Sequence, residues 1–166
     1  MALVDIMIDQ LGSARRILED GQKVVPSWLI TTPEGRFLIL APLESETPET
    51  RERAMYLISR FMTWKLATSF VLTAESSLPL PGKEENGEDA ILAIGVSRNE
   101  RIGLVQRSRK RDPLSLTSPE WLNSEQIEEF YSRLLPSRTS EITLEEIAEL
   151  TATFGDGGKM QAERLS

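Results

Sequence analysis

The sequence predicts an α+β domain, with a mostly antiparallel sheet of about five strands, a long central helix packed on one face and helices at both termini. Three observations carry this expectation. Two hairpin patterns follow one another with a lone strand between them, an apolar-rich helical segment sits in the middle, and helical periodicity occupies both ends. Consecutive hairpins imply antiparallel neighbours, because a tight turn cannot return the chain to a parallel start.

In the first twenty residues Leu3, Met7, Leu11, Ala14 and Leu18 recur at three- and four-residue steps, the spacing of an amphipathic helix. Gly21 follows as a C′ stop. The segments 27–31 (SWLIT) and 36–41 (RFLILA) then flank Thr32-Pro33-Glu34-Gly35, where Pro33 suits the second position of a β-turn and Gly35 the fourth. Both arms are apolar on alternate and intervening positions alike. That is the pattern of strands covered on two sides, or on one side plus a partner.

Thr47-Pro48 is a helix start with a mechanism: Thr can cap an orphan N–H, and Pro at the first helical position loses no hydrogen bond. The helix is expected to run to about Leu66. Ala54, Met55, Leu57, Ile58, Phe61, Met62, Trp64 and Leu66 cover more than half its circumference, leaving Arg51, Glu52, Arg53, Arg60 and Lys65 as a partial polar stripe. Residues 68–74 (TSFVLTA) read as a strand. Residues 76–89 (SSLPLPGKEENGED) read as a long loop, either a mobile insertion or a contact surface, because they hold prolines and glycines without periodicity.

Residues 90–97 and 101–109 make the second hairpin about Asn99-Glu100, with Gly95 and Gly103 as bulge or close-approach points. Two helices follow. One is expected from Pro119 to about Leu135, behind Thr117 or Ser118 and closed by Pro136; the other runs from Thr143 to about Phe154, with Thr143 and Glu146 as a capping-box pair. Residues 155–166 have no apolar periodicity and are expected to be a flexible tail on a single domain spanning 1–154.

Composition narrows the chemistry. Of 166 residues 40% are apolar and 27% charged, a globular balance, and the length suffices for a core without cross-links. The chain has no cysteine and no histidine. Disulfides, thiolate nucleophiles, cysteine or histidine zinc sites, and Ser-His-Asp or Cys-His catalysis are thereby excluded. Catalysis would have to rest on carboxylates, Lys, Tyr, Ser or Thr, with a hard cation such as Mg²⁺ as helper. Asp5 and Asp9 interrupt the start, and nothing approaches the ~18 apolar residues of a membrane span, so a cytoplasmic location without membrane contact is expected.

Charge is unevenly placed. Residues 98–111 hold Arg98, Arg101, Arg107, Arg109, Lys110 and Arg111 against Glu100 alone, a net of +5, whereas residues 1–97 sum to −5 and residues 112–166 to −7. These six cations are the candidate binding residues, able to dock phosphate or an acidic partner. Nucleic acid is disfavoured as that partner, because the run lacks interleaved aromatics and the whole chain is acidic, with a net charge of −7. The plainer reading is protection of an edge strand, or neutralisation of the acidic C-terminal helices.

For acid–base or metal chemistry the candidates are Glu75 after TSFVLTA, Asp89 before AILAIGV and Asp112 after the basic run. Carboxylates at strand ends are more often solvated, and no metal-loop spacing joins these three. Clustered glycines occur only at Gly155, Gly157 and Gly158, with no strand before them, so no phosphate cradle is expected and no cofactor is assigned. Trp28, Phe37, Phe61, Trp64 and Phe70 lie in apolar elements and read as core; Trp121 and Tyr131 fit either side.

The helix with AMYLISRFM, the strand TSFVLTAES, the long segment after it and the hairpin ILAIGVSRNERIGLV resemble short bacterial and phage proteins of unknown function. The likeness covers about half the chain and implies a bacterial or phage setting without an activity. Taken together, the residues favour a non-catalytic protein-interaction or adaptor module with an unidentified protein partner, a homodimer included. The alternatives are a Mg²⁺-dependent carboxylate hydrolase or nuclease, and a nucleic-acid binder using the 98–111 hairpin.

Overall fold

The computed structural model describes residues 2–41, 47–80, 83–98, 100–111, 114–122, 125 and 141–165, with the backbone alone over 76–80, 83–89, 108–111 and 114–115. Helix α1 (Leu3–Glu19) buries Met7, Leu11 and Ala14 of the predicted stripe and Ile6 beside it, while Leu3 and Leu18 are half-buried. It ends in a Schellman turn: Gly21 N–H donates to Leu18 O at 3.0 Å, Gln22 N–H to Ile17 O at 3.1 Å, and Gly21 takes φ 75°.

Strands β1 (Ser27–Thr32) and β2 (Gly35–Leu40) pair from Ser27↔Leu40 to Thr32↔Gly35. Thr32 Oγ1 closes the turn, donating to Gly35 O at 2.8 Å and accepting from Glu34 N–H at 3.1 Å. Helix α2 (Pro48–Trp64) starts where Thr47 Oγ1 accepts from Thr50 N–H. It stops before Leu66, which adopts φ 57°; Leu66 N–H donates to Thr63 O and Ala67 N–H to Met62 O. The bonding pattern repeats that of α1, with leucine in the position that usually takes glycine.

Strands β3 (Ser69–Leu80) and β4 (Lys83–Ser97) run as one ladder from Ser69↔Ser97 to Leu80↔Lys83. The long loop expected over 76–89 is therefore corrected: both sides are strand, joined by Ser76↔Ala90, Ser77↔Asp89, Leu78↔Glu88 and Leu80↔Lys83, and only 81–82 lie outside the described residues. The register shift between Leu78 and Leu80 falls at Pro79, which has no N–H to give the ladder. Strand β5 (Arg101–Arg111) pairs with β4 in unbroken register from Val96↔Arg101 to Ala90↔Arg107. Gly95 proves a close-approach point and not a bulge: a Cβ there would lie 2.6 Å from Met7 Sδ and 3.0 Å from Leu3 Cγ.

Strands β6 (Leu114–Leu116) and β7 (Glu120–Trp121) both pair with β5, β6 against Ser108–Arg111 and β7 against Leu104 and Val105. Glu120 and Trp121 are thus strand where a helix start at Pro119 is expected; most of the rest of that segment, Tyr131 included, lies outside the described residues. Helix α3 (Leu144–Phe154) is capped by Thr143, whose Oγ1 accepts from Glu146 N–H at 3.1 Å. Strand β8 (Ala162–Leu165) follows and pairs with β2, and Met160 before it is buried. The expected tail thus contributes a strand and a core residue.

Among the described residues the sheet has eight strands in place of about five, ordered β6-β5-β4-β3-β1-β2-β8 with β7 beside β5, and all their pairings are antiparallel. Both faces are covered. Trp28, Ile30, Phe37, Ile39, Phe70, Leu72, Leu92, Ile94 and Val96 join Leu57, Ile58, Phe61, Leu150 and Phe154 in one core under α2 and α3. The intervening residues Leu29, Val71, Ile91, Ala93 and Leu104 meet Ile6, Met7, Leu11 and Ala14 of α1 in the other. Two-sided covering is the physical reason why SWLIT shows no polar alternation; RFLILA buries only Phe37, Ile39 and Ala41, while Leu38 on its other face is half-buried and Leu40 is exposed.

Candidate functional site

The six predicted binding cations all fall on β5 or in the turn before it. Arg98 and Arg101 are exposed at the β4–β5 turn, Arg107 is half-buried, and Arg109, Lys110 and Arg111 occupy the strand's last positions. The edge-protection reading is corrected, because β5 is not an edge strand: β4 flanks one side, and β6 and β7 flank the other. Neutralisation does occur, though with a strand residue. Arg107 Nη2 lies 3.5 Å from Glu120 Oε2 of β7, while Arg107 Nε is buried without a hydrogen-bond partner among the described residues.

Register decides what else stands beside the basic strand. Trp121 pairs with Leu104 and so shares the α1 face, and Glu120, paired with Val105, lies on the opposite face with Arg107. The Trp121 side of the sheet and the Arg107 side are thus separated by the sheet itself. Trp121 is 64% exposed on a strand of two residues. From sequence its orientation is open, since it falls in a segment expected to be a helix starting at Pro119; the ladder to Leu104 fixes its face.

Register places two of the three candidate acidic positions on one face. Glu75 is opposite Ile91 and Ser77 is opposite Asp89, so Glu75 and Asp89 are diagonal neighbours on one face, ~7–8 Å apart by ordinary sheet geometry. Glu75 is half-buried and holds further interactions, and Thr73, two residues earlier on the same face, is buried with its Oγ1 unpartnered among the described residues. Asp112 lies outside the described residues. Among those described, no group of three or more acidic side chains converges as a metal site would.

A charged constellation missed by sequence reading lies between α2 and α3. Arg60, assigned to a polar stripe, is buried; its Nε donates to Glu146 Oε2 at 2.7 Å and its Nη2 to Glu146 Oε1 at 3.2 Å and Glu141 O at 3.4 Å. Arg53 pairs with Glu149 one turn further on. The bond from Arg60 holds the Glu146 carboxyl below the usual range, against the opposing effect of burial, and the Thr143 backbone N–H assists. The same bond raises the Arg60 guanidinium. Glu146 therefore serves as both capping-box acid and interhelical anchor, and only the first role is written in local spacing. Arg60 is buried and Glu146 partly exposed, and the pair fastens one helix to the other.

No helix of the described chain is long and apolar enough to cross a membrane. No family model, curated protein or solved structure matches this chain.

Proposed function

We propose that the chain is a non-catalytic protein-interaction module that engages a protein partner along the β5–β7 side of its sheet. The observation that carries this reading is Trp121, a large aromatic 64% exposed on a two-residue outer strand that the β5 ladder holds in place. Tryptophan is among the residues that dominate binding energy where proteins meet, and Trp121 stands on the α1 face of the sheet, away from the Arg107–Glu120 ion pair. A short outer strand also offers backbone N–H and C=O groups to an added strand.

A photo-crosslinking amino acid at position 121, expressed in bacterial cells, tests the reading against the same probe at exposed Glu52 on α2. Discrete adducts from 121 and none from 52 are expected. Identical patterns from both positions would refute a specific surface at Trp121.

A second reading, a Mg²⁺-dependent carboxylate hydrolase, draws on the diagonal placement of Glu75 and Asp89. A metal bound only by the folded state must raise the melting temperature. An unchanged melting temperature at millimolar Mg²⁺ and Mn²⁺ removes it.

A further inference from the structure

Two hairpin arms leave the sheet at the same end. The β4–β5 ladder reaches its last pair at Ala90↔Arg107, beyond which β4 continues against β3 to Leu80↔Lys83 and β5 continues against β6 to Arg111↔Leu114. Their charges are equal and opposite. Residues 76–89 hold Lys83 against Glu84, Glu85, Glu88 and Asp89, a net of −3; residues 107–116 hold Arg107, Arg109, Lys110 and Arg111 against Asp112, a net of +3.

We propose that the paired arms are a self-complementary interface for a second copy of this chain, the acidic arm of each copy lying along the basic arm of the other. This rests on the interaction reading above and names one partner for it. A two-fold contact places the same patch on both subunits, so a patch with both signs side by side meets its opposite twice after the rotation. The rest of the chain favours no other mode of self-association by charge: the whole carries −7, and like-charged bodies approach only where a local field of the other sign receives them.

A charge swap on the full chain tests this by sedimentation velocity. Reversing the acidic arm (Glu84→Lys, Glu85→Lys, Glu88→Lys) turns −3 into +3, and reversing the basic arm (Arg109→Glu, Lys110→Glu, Arg111→Glu) turns +3 into −3. The wild type is expected to dimerise at low salt and to weaken as salt rises past the ~10 Å screening length of 0.1 M. Each reversed variant alone should lose at least about tenfold in self-affinity, a change of about 1.4 kcal/mol, and an equimolar mixture of the two should recover the dimer. A monomeric wild type, a salt-insensitive dimer or a mixture that stays monomeric overturns the proposal; the last is the result if the two arms neutralise each other within one chain. Circular dichroism confirms that each variant is folded. A chain that fails the swap yet still crosslinks from position 121 to a different protein loses this interface and keeps the interaction reading.

Discussion

Adding one methyl group at Gly95 should destabilise the wild type and stabilise a variant lacking the Met7 side chain. A Cβ at 95 would stand 2.6 Å from Met7 Sδ, with Leu3 Cγ at 3.0 Å and Cδ1 at 3.2 Å. Met7 is 0% exposed and has little room to retreat, whereas half-buried Leu3 in the first turn of α1 can shift by a few tenths of an ångström. Forcing a group into a packed core costs ~1–3 kcal/mol, and replacing a strand glycine by alanine otherwise returns ~0.5–1 kcal/mol. Gly95→Ala alone should therefore cost about 1–2 kcal/mol, and Met7→Ala alone ~2–5 kcal/mol from lost burial and the cavity left behind.

In the double variant the new methyl enters space that Met7 vacates, so the steric cost goes and the backbone gain stays. The coupling should be ~1–3 kcal/mol in favour of the pair. Urea unfolding followed by circular dichroism measures all four corners of the cycle, given slopes that stay constant. Additivity within ~0.5 kcal/mol would refute the reasoning, because it would mean that α1 does not rest on β4 at this glycine.

Three further outcomes follow from the same coordinates. Leu66→Gly should raise the free energy of unfolding by roughly 0.5 kcal/mol, and the urea midpoint with it, since relief of the left-handed backbone (φ 57°) outweighs the glycine's extra unfolded freedom; a lower midpoint would assign the 70%-exposed side chain a larger role than the backbone. Met160→Ala should cost at least about 2 kcal/mol, as for a core methionine, whereas a frayed segment would show no change in melting temperature. Because the folded Glu146 carboxyl titrates below its unfolded value, its contribution is present above about pH 4.5 and is lost as pH falls through the folded value. Glu146→Gln should accordingly flatten the acid limb of the melting-temperature profile below about pH 4.5; an unaltered limb would remove Glu146 as its source.

Much of the fold was legible because local chemistry and tertiary structure agree. Thr47-Pro48, Gly21, the Thr32–Gly35 turn and the Thr143–Glu146 box each act within a few residues, and each occurs where its residues place it. What was not legible depends on distant partners. Ser76–Leu80 looked like loop because backbone pairing to 83–89 needs no apolar alternation and tolerates Pro79 at a register shift. Arg60 looked solvated because its acid stands 86 residues away on another helix. Ala162–Leu165 is too short to show a period, and its strand state comes from β2. At the candidate surface, the basic run is visible in the sequence as a cluster of charge, whereas the orientation of Trp121 is not, because only the ladder to Leu104 fixes which face it takes.

The pairing of Arg36 with Leu165 has a kinetic side. β1 and β2 form from neighbouring residues in microseconds, but the outer edge of β2 must wait for a segment on the order of 130 residues downstream, with the loop-closure entropy that separation carries. During synthesis that edge is presented bare for as long as the intervening chain takes to emerge, at ~5–20 residues per second. The second strand of this protein is thus its aggregation-exposed element while nascent, and the late arrival of β8 turns an open template into an interior strand.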